Sequence, residues 1–158
     1  MAALLVPAAN AYIRSFVSYS DGTTAPAKRT DSAGLQFYIN GKIAPGLQSS
    51  AAGSLVTVFT ASSDPVAAIR AAAASWTLST SNLKFLPLKT TDQVNDPSDN
   101  QMTVVVGSTP ADLSAVGGAL AVTAITIAPA VAGMEDSKGI IQDSDIILNP
   151  ANSFSTDM

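Results

Sequence analysis

The stretch Ser63-Asp64-Pro65-Val66-Ala67-Ala68-Ile69-Arg70-Ala71-Ala72-Ala73-Ala74-Ser75-Trp76 decides the fold. Ser63 or Asp64 offers a side-chain oxygen to the free N–H groups of a helix start. Pro65 fits the first turn, where its missing N–H costs nothing. Val66, Ile69, Ala73 and Trp76 then fall on one helical face. The alanines Ala71 to Ala74 favour helix and let it sit close to a sheet. The spacing predicts a helix from Pro65 to about Leu78, ended by the polar cluster Ser79 to Asn82. Trp76 closes the apolar face and is expected to be among the most buried side chains, rather than a platform for stacking a sugar or base.

Strand patterns lie on both sides of this helix. Upstream, Tyr12 to Tyr19 alternates loosely, with Ile13, Phe16, Val17 and Tyr19 apolar, and Ser20 to Gly34 reads as a loop or mobile arm. Leu35, Phe37 and Ile39 alternate with Gln36 and Tyr38, the period of a half-buried strand. Gly41 to Ser54 is a long connection, and Leu55 to Phe59 extends that strand or pairs with it. Downstream, Leu83 to Leu88 reads as a strand that Pro87 pushes to an edge or an early end. Thr90 to Gln101 is a polar loop. Met102 to Val106 is nearly all apolar, as in a sheet centre covered on both faces. Pro110 to Gly118 reads as a connection, Leu120 to Ile127 as a β-branched strand, Pro129 to Lys138 as a loop and Ile140 to Leu148 as the last strand. One helix crossing followed by a run of strands predicts an α+β (α/β-like) fold, a twisted mixed sheet of about five strands with one long helix packed on a face.

Composition narrows the function. The chain has 158 residues and a net charge of −4, with no basic patch to attract nucleic acid. It has no histidine and no cysteine. That removes thiol chemistry, Ser-His and Cys-His nucleophile pairs and nearly all zinc-site chemistry from the residues present. No run is long enough to span a bilayer as a helix. Residues 1–11, MAALLVPAANA, end in small residues that suit signal-peptidase cleavage. They are expected to be the remnant of a secretory signal peptide, with residues 12–34 an N-terminal arm or loop, which implies a secreted or extracellular protein. At the other end Ser155-Thr156-Asp157 look like the cap and first turn of a helix. The expectation is that the chain stops before a helix it has begun to specify.

Five segments together resemble the N-terminal half of a matrixin-like metzincin, a secreted zinc endopeptidase. Asp64-Pro65-Val66-Ala67-Ala68-Ile69-Arg70-Ala71 through Trp76 is similar to that family's first helix. Leu83-Lys84-Phe85 and Met102-Thr103-Val104-Val105-Val106 look like its following strands, and Leu120-Ala121-Val122-Thr123 like its "Leu-Ala" edge strand. Gly139-Ile140-Ile141 through Asp145-Ile146-Ile147-Leu148-Asn149 is similar to the strand before its zinc helix. The resemblance covers about Leu35 to Asp157 and makes residues 35–158 an incomplete catalytic domain, the metzincin N-terminal subdomain. It implies an extended peptide or protein substrate pairing with the edge strand, where Gly118, Ala119, Leu120 and Ala121 would line the cleft. It implies zinc for the full-length protein. The family's H-E-x-x-H-x-x-G-x-x-H motif is missing, so this chain offers no catalytic residue and no ligand set for zinc.

Other candidates have simpler readings. Asp92, Asp96 and Asp99, with Asn95 and Asn100, form an oxygen-rich loop of the kind that suits calcium, but without EF-hand spacing; a solvated turn is the simpler reading. Asp143 and Asp145 share one strand face. The resemblance makes Asp145 structural, orienting the last strand or the loop after it, which is favoured over a catalytic carboxylate pair. Glu135-Asp136 reads as a solvated pair. Two functions remain open: the N-terminal part of a secreted zinc-dependent endopeptidase, inactive as it stands, or a complete non-enzymatic secreted α+β binding or surface module.

Overall fold

Met102 to Val106 forms the strand around which the rest assembles. A computed structural model describes residues 16–29, 34–77 and 84–156. The expected signal remnant, Ile13, Leu78 and the end of the Ser155-Thr156-Asp157 cap lie outside them. In chain order the elements are β1 (Phe16–Ser18), β2 (Thr24–Pro26), β3 (Phe37–Asn40), β4 (Gln48–Ser49), β5 (Val56–Thr57), α1 (Pro65–Trp76), β6 (Lys89–Thr91), β7 (Met102–Val106), α2 (Pro110–Val116), β8 (Ala121–Ile127) and β9 (Ile141–Leu148). The main sheet runs β6-β3-β7-β9-β8. Its neighbours are parallel except β8, which is antiparallel to β9 and forms one edge. The mixed five-stranded sheet and α+β class are as the sequence predicts.

The two faces have different covers. On one face Ile39, Ile43, Val58, Phe59 and Val104 make a buried cluster against which Val66 and Ile69 of α1 pack. On the other, Val105 and Ile147 bury Val116 of α2, with Val122 and Ala124 beside them. β7 is covered on both faces, which explains its nearly all-apolar sequence.

Local chemistry sets the helices. The Asp64 side chain accepts from Ala67 N–H at 2.9 Å and Pro65 occupies the first turn. The hydroxyl of Thr156 accepts from Asp64 N–H at 2.9 Å, so the last described residues sit beside the start of α1. The segment read as a connection, Pro110 to Gly118, contains α2. Its signal was present in Thr109-Pro110-Ala111-Asp112: Thr109 accepts from Asp112 N–H while the Asp112 carboxylate accepts from Thr109 N–H, a reciprocal cap.

Other expectations are corrected. Ser20 to Gly34 is not simply a loop, since it contains β2, which pairs with β1. Leu55 to Phe59 does not pair with β3; β5 pairs with β4. The strand expected at Leu83 to Leu88 is reduced to a bridge between Leu35 and Phe85, and regular pairing starts only at Lys89. Pro87, which has no N–H to give, lies between the two. Glu135 and Asp136 are exposed as expected, and Glu135 also reaches Lys138 at 3.2 Å. Lys138 also holds Asp21 at 3.0 Å and so fastens the β1–β2 hairpin. The hairpin passes so close that a Cβ at Gly139 would collide with the Pro26 carbonyl oxygen.

The largest correction concerns Trp76, which is 65% exposed. Of α1, Pro65 alone is fully buried. Beyond Ile69 the groove-facing Ala72 and Ala73 are too short to fill the space to the sheet, and Trp76 flanks that space while staying exposed. A groove of about 270 Å³ remains between Ile69, Ala73 and Trp76 on the helix and Phe37, Val104, Ile146 and Leu148 on the sheet. Trp76→Ala is therefore expected to cost less than about 1 kcal/mol, against about 2–5 kcal/mol for Ile39→Ala. Urea unfolding of the two variants checks this; a larger loss for Trp76→Ala would place the indole in the core.

Candidate functional site

The edge strand β8 is the first candidate, and its start is built by Asn149. This buried side chain at the end of β9 donates to the carbonyls of Ala119 at 2.8 Å and Gly117 at 3.2 Å, and its Oδ1 accepts from Ala151 N–H at 2.9 Å. Asn149 N–H donates to the Leu120 carbonyl at 2.9 Å. One residue thus fixes the turn from α2 into β8. Its signal in sequence is an amide directly after an apolar strand; no role was expected of it beyond membership of the resemblance.

This geometry sorts the four residues expected to line a cleft. Gly118 lies in open space. Ala119 is already engaged, because its N–H bonds the Val116 carbonyl at 2.8 Å and its carbonyl bonds Asn149. The Leu120 carbonyl points into the sheet, while its side chain is 64% exposed. Ala121 opens the ladder opposite Leu148. In an antiparallel ladder alternate residues bond the neighbour with both backbone groups. Since Leu120 is bonded to Asn149, Val122 and Ala124 follow it in facing β9. The N–H and C=O groups of Ala121 and Thr123 face the open side. The edge that an extended peptide would meet is therefore Ala121 and Thr123, one step further along than Ala119 and Leu120.

The second candidate is the carboxylate group on the α2 side of β9. Asp143 and Asp145 are both almost fully buried, at 1% and 2% exposure. They share a face with Ile147, as the two-residue spacing predicts. The β7–β9 ladder starts at Val104, leaving the Thr103 N–H beside it. Asp145 Oδ1 accepts that N–H at 2.8 Å and its Oδ2 accepts Asp96 N–H at 3.1 Å. Asp145 is thus structural, but it ties down the loop before β7 rather than the loop after β9. In that loop Asn95 donates to Asp112 at 2.7 Å, which links it to the start of α2.

Burial pushes Asp145 up to about 6, with the charge of Asp143 adding to the effect. Burial also raises Asp143, helped by Asp99 and opposed by Arg29. Asp112 behaves oppositely: burial works against its charge, but the N–H groups of Ser108 and Thr109 outweigh this and hold it below the usual carboxylate range.

The residues present do not fit zinc, since the sequence has neither histidine nor cysteine. Among the described residues no group of three or more Asp or Glu gathers as a metal site. The oxygen-rich loop uses Asp96 and Asp99 internally, Asp96 accepting from Ser98 and Asp99 from Gln101. Among the described residues no helix is long and apolar enough to cross a membrane. The chain matches no family model, no curated protein and no solved structure.

The buried carboxylates set the pH dependence of folding. A carboxyl raised in the folded state binds its proton more tightly there than in the unfolded chain. Its stabilisation is complete below the unfolded value of 3.8 and is lost as pH rises through about 6. For Asp145 the loss is up to about 3 kcal/mol, and Asp143 acts in the same direction. The protein is expected to melt higher near pH ~5 than near pH ~7.5, and Asp145→Asn is expected to flatten that fall. A wild-type melting temperature that rises over this interval would contradict it.

Proposed function

We propose that this chain is the N-terminal, substrate-binding part of a secreted zinc-dependent endopeptidase of the matrixin-like metzincin kind. The observation that carries the reading is the free edge of β8. It is antiparallel to its neighbour, ends the sheet and turns the backbone groups of Ala121 and Thr123 outward, as pairing with an extended peptide requires. Two further features support it. The apolar groove beside α1 leaves Ile146 and Leu148 only partly covered, a seat for a further helix. On the same side of the sheet the Thr156 hydroxyl accepts from Asp64 N–H at the start of α1. The proposal gives this chain peptide binding and no bond cleavage, because the zinc ligands and the base belong to residues it does not contain.

The rival reading is a non-enzymatic secreted module that recruits a partner strand along the same edge. It is favoured by the lack of histidine anywhere in the sequence. The gene downstream of Met158 separates the two. The peptidase reading expects an amphipathic helix with two histidines four apart and a Glu directly after the first. A stop codon, or a continuation without that pattern, leaves the binding module. In a longer protein with the pattern, Thr123→Pro removes an outward N–H without breaking the inner ladder. It is expected to lower kcat/KM by about tenfold or more, while Thr123→Val leaves it near the parent value. Equal activity of all three would show that substrate does not pair with β8.

A further inference from the structure

Three buried side-chain oxygens without a protein hydrogen-bond partner belong to one loop and the strand beside it. They are Asn95 Oδ1 and Asp99 Oδ2, in the 92–101 loop between β6 and β7, and Asp143 Oδ2 on β9. Unpaired acceptors in such a place are costly, and more so when they carry charge. The groups facing them come from every packed element. Asp143 and Asp145 project from β9, Asp96 and Asp99 from the loop, and Arg29 from the arm after β2. From α2, Asp112 takes the Asn95 amide and the N–H groups of Ser108 and Thr109. Asp96 remains charged because Ser98 donates to it twice. With Asp96, Asp99, Asp143 and Asp145 ionised together, Arg29 is a positive charge set against them.

We propose that the 92–101 loop is a proton-controlled flap, fastened to β9 while the Asp143–Asp145 pair holds one proton and loosened when both carboxylates are charged. A proton on Asp143 Oδ2 turns an unpaired acceptor into a donor and removes one negative charge from beneath the loop. Asp145 then keeps both of its backbone clamps, Thr103 N–H and Asp96 N–H. Without that proton the carboxylates of β9 repel Asp96 and Asp99 across the contact. The Asp96 clamp is the point that gives way, since Asp96 sits on a surface loop whereas Thr103 is fully buried in the sheet. The two β9 carboxylates titrate as a pair, so the proton belongs to both.

Amide hydrogen exchange tests this, with each rate corrected for the intrinsic effect of pH. The ratio of protection at Asp96 to protection at Val122, in the β8–β9 ladder, isolates loop opening from global unfolding. In protein treated with EDTA that ratio is expected to fall at least tenfold, roughly, between pH ~5 and pH ~7.5. Asp143→Asn removes one charge and is expected to restore the ratio at the higher pH. An unchanged ratio in the wild-type protein overturns the proposal, whatever the variant does. A fall that persists undiminished in a folded Asp143→Asn protein also overturns it.

Discussion

Parallel pairing of β3, β7 and β9 is the constraint on which the rest of this structure depends. Parallel neighbours cannot be joined by a tight turn, so each step between them needs a crossover that leaves the sheet and returns. The chain from β3 to β6 travels through the β4–β5 ribbon and α1 on one face. The chain from β7 to β9 travels through α2 and then β8. Those two excursions cover opposite faces of β7, whose apolar sequence follows from being enclosed by both. The second excursion also puts β8 at the rim, antiparallel and with one side unpaired.

The covers are unequal in kind. α2 is short, but it is tightly specified by its reciprocal cap and by Val116 against Val105 and Ile147. α1 is longer and well started by Asp64 and Pro65, yet alanine along its inward face leaves an open apolar groove. Alanine contributes helix propensity and little contact area, so a helix can be locally favoured and still be a poor lid. The α2 face differs again, because half of it is polar. There β9 turns Asp143 and Asp145 inward, and the loop before β7 is held by charge and hydrogen bonds where an apolar contact would normally serve. A face of that kind responds to protons, whereas the groove beside α1 responds to whatever apolar surface is offered to it.

The long helix and the central and antiparallel edge strands of the sheet were legible in this sequence, while α2 and the short strands β2, β4 and β6 were not. The Ser63-Asp64-Pro65 start, the apolar run Met102 to Val106 and the alternation through Ile147 each report a local rule, whether cap chemistry, burial on two faces or the two-residue strand period. The cap at Thr109 and Asp112 is equally local and equally readable, but the glycines that follow it give the segment the pattern of a connection. The edge position of β8 was expected from resemblance, and the four residues named near its start fall at the turn and first rung of that strand.

How those elements meet was set by contacts between distant segments. Trp76 satisfies the helical pattern of a core residue and is nevertheless exposed, because burial depends on the distance to the facing layer and not on the helix's own periodicity. Which backbone groups of β8 face outward depended on ladder phase, set by the Asn149 bond to Leu120 across the strand pair. That Asp143 and Asp145 share a face followed from their spacing. That these side chains are buried, and that Asp96 comes down upon them, required a loop almost 50 residues earlier in the chain to fold back on β9. The sequence alone determined the parts and their order; long-range packing determined which of them are covered, and so which carry exposed backbone or buried charge.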